Sequence, residues 1–198
     1  MSEALSSPSK SPAVQPWNQV GIDPSDIIGK VVKQVRKSCT HPTVTIDFDD
    51  DTSVQIRVDG YDPRHPGLPK SLETDSHLEE LMMREFPIDI PVLGCAYVTL
   101  SDKAFDCRRR NGIDDTLQHW DQQHVGLALK FPYVNTGRAR WHCIWATKQD
   151  HEEAGGACLF RSYEDVYLER LPRARRSRPN TPTTPTKHRR RKSRNVNL

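Results

Sequence analysis

Thr43-Val44-Thr45-Ile46-Asp47-Phe48-Asp49-Asp50-Asp51-Thr52-Ser53-Val54-Gln55-Ile56-Arg57-Val58 is the stretch that decides the fold class. Val44, Ile46 and Phe48 alternate with polar residues, and Val54, Ile56 and Val58 repeat the pattern. Alternation of period two puts one set of side chains on each face of a pleated strand, and Asp49 to Ser53 reads as the hairpin loop between two strands. A hairpin makes the pair antiparallel.

Upstream, Ile27, Ile28, Val31, Val32 and Val35 fit one face of a helix capped by Asp23, with Pro24 in its first turn. The run is β-branched throughout and contains Gly29, so a strand is the expectation. Downstream, Asp59-Gly60-Tyr61-Asp62-Pro63 and prolines 66 and 69 read as an ordered loop or a polyproline-like crossing. Ser76 followed by Glu79 is a capping-box pattern, and Leu78, Leu81, Met82 and Phe86 form a helical face that Pro87 ends.

Val92 to Leu100 is apolar and predicts a buried strand, and residues 102–118 read as a long polar excursion. Val125, Leu127, Leu129 and Phe131 share a strand face, with turn residues Asn135-Thr136-Gly137 after them. Next, Trp141, Cys143 and Trp145 point one way and Ile144 with Ala146 the other, which predicts a central strand apolar on both faces. Cys158 to Phe160 begins another strand, and Ser162 with Asp165 reads as the cap of a last short helix carrying Val166, Tyr167 and Leu171. The expected fold is α+β: a mostly antiparallel sheet with one or two short helices and disordered N- and C-terminal tails. The division is a disordered arm over 1–24, a single domain over 25–171 and a disordered basic tail over 172–198.

Composition narrows the class. Of 198 residues only 35% are hydrophobic and 15 are proline, so part of the chain is expected to lack a packed core. Five cysteines, odd in number and without C-x-x-C, do not suggest a disulfide framework or a zinc ribbon. No apolar run approaches the roughly 18 residues a membrane span needs, and Met1 to Lys10 lacks a signal-peptide core, so neither membrane nor classical secretion is expected.

The net charge of +3 conceals two unlike regions. Pro172 to Leu198 holds ten Lys or Arg and no acid. Taking these ten from the chain's 29 leaves 19 basic against 26 acidic side chains on residues 1–171, a net of −7. The body repels phosphate and the tail attracts it, so weak nucleic-acid contact is expected through the tail alone. Arg108, Arg109 and Arg110 are the one basic patch on the body, and a solvated loop accounts for them.

The motifs for catalysis each have a plainer reading. Asp47-Phe48-Asp49-Asp50-Asp51-Thr52 suggests an aspartyl phosphatase, but the Thr falls one place late and another strand follows where a crossover helix is needed. A calcium loop fails for want of Gly at its sixth position and a carboxylate at Val58, its twelfth. Solvated, mutually repelling turn carboxylates are the expectation. His119, His124, His142 and Cys143 are the cluster nearest to a metal set, yet neighbours 142 and 143 face opposite sides of a strand. Structural histidines, no metal and no cofactor are expected. A Cys143 nucleophile is disfavoured, because Trp141 and Trp145 on its face suggest a packed core that raises the thiol pKa.

The tail carries the most specific signal. Arg175 and Arg176, then ten residues, then Lys187, Arg189, Arg190, Arg191 and Lys192 form a two-part basic pattern like a nuclear import signal, with a flexible linker over Pro179 to Thr186. Thr181 and Thr184 precede proline within that linker, Ser7 and Ser11 do so in the arm, and Ser193 follows basic residues, so all five are candidate phosphorylation sites. A phosphate of about −1.5 to −2 beside the basic clusters weakens their hold on an import carrier.

His41-Pro42 through Val58-Asp59-Gly60-Tyr61-Asp62-Pro63, and Trp120-Asp121-Gln122 through Trp141-His142-Cys143-Ile144-Trp145 to Phe160-Arg161-Ser162-Tyr163, resemble an uncharacterised protein family of mushroom-forming (basidiomycete) fungi. The resemblance covers most of the body but not the tail, and it implies a eukaryotic setting without an activity. The expectation is a small intracellular protein of the nucleus, or of nucleus and cytoplasm. Its body binds another protein, and its tail engages an import carrier. The alternatives are a cysteine- or metal-dependent hydrolase and a tail-driven nucleic-acid binder.

Overall fold

The structure is a computed structural model, and it describes residues 21–84, 87–108, 118–132, 138–152 and 155–172. Its first strands are β1 (Val31–Lys37), β2 (Thr43–Phe48) and β3 (Ser53–Val58). Val44, Ile46, Phe48, Val54, Ile56 and Val58 are each at most 2% exposed, so every apolar position of the alternating stretch faces the core. Phe48 donates its backbone N–H to the Thr52 carbonyl at 2.9 Å, closing the expected hairpin. The strand expected from Ile27 begins only at Val31. Asp23 caps a 3-10 turn, Pro24–Ile27, by accepting the Ser25 N–H at 2.8 Å. Gly29, at φ 85°, then turns the chain into β1.

Next come β4 (Lys70–Thr74), α1 (Ser76–Met82) and the short β5 (Ile90–Pro91). β4 has a single apolar residue, Leu72, and its sequence carries no strand signal. Asp75, not Ser76, caps α1, its carboxylate accepting the N–H groups of His77 and Leu78 at 3.1 Å each. Buried Leu78 and Leu81 form the inner face of α1.

The remaining strands are β6 (Gly94–Asp106), β7 (Gln118–Pro132), β8 (Ala139–His151), β9 (Cys158–Glu164) and β10 (Val166–Arg170). Two expectations are corrected here. Asp102–Asp106 and Gln118, described parts of the expected polar excursion, are strand. They continue β6 and β7 as an unbroken antiparallel ladder from Gly94↔Lys130 to Asp106↔Gln118. The last helix is likewise strand β10, paired with β3, because Val166 and Leu168 alternate and are both fully buried. Residues 109–117 and 133–137, with the Asn135-Thr136-Gly137 turn, lie outside the described residues.

Among the described residues two five-stranded sheets result, ordered β10-β3-β2-β1-β5 and β4-β8-β7-β6-β9, and every pairing is antiparallel. An additional β8–β9 ladder closes β6 to β9 into a small barrel. The mostly antiparallel character matches expectation. One α-helix accompanies it among the described residues, so the helical share of α+β is small. Both sheets feed one core, which joins Phe48, Ile56 and Leu168 to Leu72, Leu127 and Ile144. The barrel's β7–β9 seam is held by side chains. Gln122 donates Nε2–H to the Tyr163 carbonyl at 2.7 Å and accepts the Tyr163 N–H at 3.0 Å. Asp165 accepts the Val125 N–H at 2.7 Å.

Candidate functional site: a proline-walled groove

A groove of about 330 Å³ opens between the β1–β2 turn and the loop that precedes β4. Ser38 shapes one wall, its Oγ accepting the N–H groups of Thr40 (3.3 Å) and His41 (3.2 Å), which folds the turn back on itself. The other wall is the proline loop, pinned along its length. Asp59 donates its N–H to the Asp165 carbonyl (2.8 Å), and the Pro69 carbonyl accepts the Gln149 N–H (3.0 Å). Within the loop, the Asp62 carboxylate accepts the Arg64 N–H (2.9 Å) and pairs with His65 (3.0 Å). The Arg64 N–H, then His65, hold the Asp62 carboxyl below its usual range.

His41 Nδ1 and the Tyr61 hydroxyl meet at 2.9 Å across the walls. Pro66 and Pro69 line one side, Cys39 and His41 the other, and buried Leu72 also lines the groove. Lys70 also lines it, but its ammonium is held by the Gly60 carbonyl (3.3 Å) and lies 3.7 Å from Glu164. Exposed Lys37 contributes the other positive charge. Rigid proline rings on one side and a histidine–tyrosine pair spanning the two walls make a preformed, mostly apolar recess at the small end of ligand-sized cavities.

The residues singled out for metal or thiol chemistry diverge. His124, 2% exposed, sets Nε2 2.9 Å from Asp102 and stacks on Tyr163 with ring centroids 4.6 Å apart. A carboxylate only accepts, so Nε2 carries the proton, and the buried Nδ1 has no partner among the described residues. His142 faces the opposite side of the sheet, with Nδ1 3.0 and 3.1 Å from the two Asp75 oxygens. Burial works against the charged form of Asp75. The His142 and Leu78 hydrogen bonds outweigh it and leave the carboxyl below its ordinary value. His119 is exposed on β7 beside Phe105. Among the described residues no three His, Cys, Asp or Glu converge on one point.

The tryptophan face is not a packed core. Trp141 is 51% exposed and Cys143 is half-buried. Burial, with the Asp75 charge, nonetheless pushes the Cys143 thiol up, and burial pushes Cys95 up to about 12.

The hairpin carboxylates also depart from the expected mutual repulsion. Asp47 accepts from Arg36 Nε at 2.9 Å and from Ser53 Oγ at 2.7 Å. Asp50 pairs with Lys30 and accepts the Thr52 N–H at 3.0 Å. Arg108 is paired with Asp106 at 2.8 Å and lies over the Phe160 ring, so this member of the basic patch is neutralised. Arg109 and Arg110 lie outside the described residues.

Sequence reasoning missed a heavily bonded polar side chain, Glu73 on β4. Its carboxylate accepts from Trp145 Nε1 (3.0 Å), Arg161 Nη2 (2.7 Å), Thr147 Oγ1 (3.2 Å) and Gln149 Nε2 (2.8 Å). A lone Glu in Lys-Ser-Leu-Glu-Thr announces none of this, because its partners come from β8 and β9. The import residues Arg175, Arg176, Lys187, Arg189, Arg190, Arg191 and Lys192 lie outside the described residues, as do Ser7, Ser11, Thr181, Thr184 and Ser193. No helix among the described residues is long and apolar enough to cross a membrane. No family model, curated protein or solved structure matches this chain.

Proposed function

We propose that the protein is an interaction module of the nucleus, or of nucleus and cytoplasm, whose groove takes a short segment of another protein. Residues 172–198 are its import address, read by a nuclear import carrier and weakened by phosphorylation of Thr181, Thr184 or Ser193. The observation that carries the reading is the preformed recess between the Ser38–Pro42 turn and the Pro66–Pro69 wall, with the His41–Tyr61 bond across it. Preformed walls spare a bound peptide the cost of ordering its receptor.

Cys39 is exposed at this groove, so it takes a maleimide-linked photocrosslinker without cutting into the core. Irradiation in nuclear extract is expected to join one discrete protein to Cys39, and Tyr61→Ala is expected to abolish the adduct. An adduct pattern indifferent to Tyr61→Ala rejects the groove as the binding surface. The import address is tested separately by fusing residues 172–198 to a fluorescent reporter; a reporter spread evenly through the cell rejects it.

A further inference from the structure

We infer that the groove is occupied by the chain's own N-terminal arm, residues 12–17 lying across it with Trp17 against Tyr61, Pro66 and Pro69, so that a partner binds by displacing the arm. The inference rests on the interaction-module reading and adds its regulation. Residues 1–20 lie outside the described residues, and they join the fold at its groove end. Ile22 donates its N–H to the Leu168 carbonyl at 2.9 Å, and the Asp26 carboxylate lies 3.4 Å from the Arg170 guanidinium. From Ile22 onward the chain therefore runs alongside β10 toward Arg170, and its upstream end is on the Val166 side. The groove opens on that side. Asp59 donates its N–H to the Asp165 carbonyl, and Glu164 lies 3.7 Å from the ammonium of Lys70, which lines the recess.

Length and composition suit the arm to this path. Leu168 to Glu164 is four residues, at most about 13 Å of strand. Ile22 to Trp17 is five, which extend up to about 17 Å, so Trp17 reaches the rim at Lys70 and the residues before it continue across the recess. Trp17 is the one aromatic residue of the arm, and Pro8, Pro12 and Pro16 recur at every fourth position. Such a segment is biased toward the polyproline conformation and has little entropy left to lose on docking. Grooves walled by aromatic rings take segments of this kind. The groove meets them with side chains: Cys39, His41, Pro66 and Pro69 are all exposed there, so the contact asks for no main-chain group of the fold. Tethering supplies the rest. A segment joined by a short linker competes at an effective concentration on the order of 1 mM, so an intrinsic affinity of only about 0.1 mM keeps the groove closed about ten to one. A partner's apparent affinity is lowered by the same factor of about ten.

The full chain serves for the test. With benzoylphenylalanine in place of Trp17, irradiation is expected to form crosslinks within one chain, to the Ser38–Pro42 turn or the Tyr61–Pro69 loop. Trp17→Ala should let maleimide label the exposed Cys39 about tenfold faster, the factor by which the arm shields it, while buried Cys95 keeps its slow rate and shows the fold intact. Crosslinks that join two chains at the groove would make a second copy's arm the occupant, and crosslinks confined to other surfaces would put the arm elsewhere; either result overturns the inference. So does Cys39 labelling that is indifferent to Trp17→Ala. In those cases the interaction reading survives, because the Tyr61-dependent adduct at Cys39 decides it separately. If that adduct fails to form even in Trp17→Ala, whose groove is free, the interaction reading itself is rejected, and displacement of the arm by a partner goes with it.

Discussion

The two sheets reach stability by different means. In β10-β3-β2-β1-β5 the inward positions are aliphatic or aromatic, and its order follows from pleat alternation alone. In the other sheet, strands that share no backbone ladder are joined by side chains: Gln122 on β7 to Tyr163 on β9, Glu73 on β4 to Arg161 on β9, and Asp165 to Val125 on β7. Apolar packing is non-directional and roughly proportional to area. A polar seam depends on each donor meeting its acceptor, and a buried group left unpaired carries its whole desolvation penalty.

The largest effect is expected where apolar packing is densest. Phe48→Ala should cost about 3–5 kcal/mol in urea unfolding, through lost transfer energy and the cavity left behind. Both sheets share that core, so far-UV and tryptophan signals should move together; separate transitions would show the sheets to be independent. Glu73→Ala comes second, at about 1–3 kcal/mol, for it removes the acceptor of the Trp145 N–H and leaves Arg161, among the described residues, only its bond to the Tyr163 hydroxyl. Both ends of that ion pair remain roughly a quarter exposed, at 29% and 26%, which holds the cost below that of a fully buried pair. Glu73→Gln should recover part of the loss, and an unchanged melting temperature for the alanine variant would mean that the seam is ornamental.

Gln122→Ala should cost about 1–2 kcal/mol and act locally, speeding exchange of the Tyr163 amide while the β2–β3 amides hold their protection. Uniform acceleration in both sheets would erase the distinction between them.

The smallest effect is a pH dependence in the first sheet. Hydrogen bonds from Lys30 and then Thr52 hold the Asp50 carboxyl down to about 2, against roughly 3.9 in the unfolded chain. Because the folded value is depressed, the contribution is complete above about pH 5 and disappears as pH falls through 4 toward 2. Asp50 is 43% exposed, so the effect is small. Asp50→Asn should therefore unfold earlier than the parent at pH 6 and equally at pH 2; a gap that is the same at both ends would assign the loss to something other than charge.

What could be read from the chain divides along the same line. Val44 to Val58 announced both strands and their hairpin, because burial there is decided by local period. Asp23 with Pro24, and the strand signals after Gly29, proved true in succession rather than in competition. Val166, Tyr167 and Leu171 read as helical though Val166–Arg170 is a strand, since five residues hold too little periodicity to separate 2 from 3.6. Tyr61, Pro66 and Pro69 drew notice as a loop, but nothing in their order foretold the groove. It forms only once the Ser38–Pro42 turn and β4 come to stand opposite them.

By itself the sequence determined the antiparallel pairing of the alternating strands, the buried set that lines them, and the separation of acidic body from basic tail, all properties of neighbours in the chain. Only the tertiary structure decided where the groove opens, which carboxylates are paired, and where His124 and His142 go. Those outcomes depend on groups brought together from distant segments, and a hydrogen bond is specified by both of its ends.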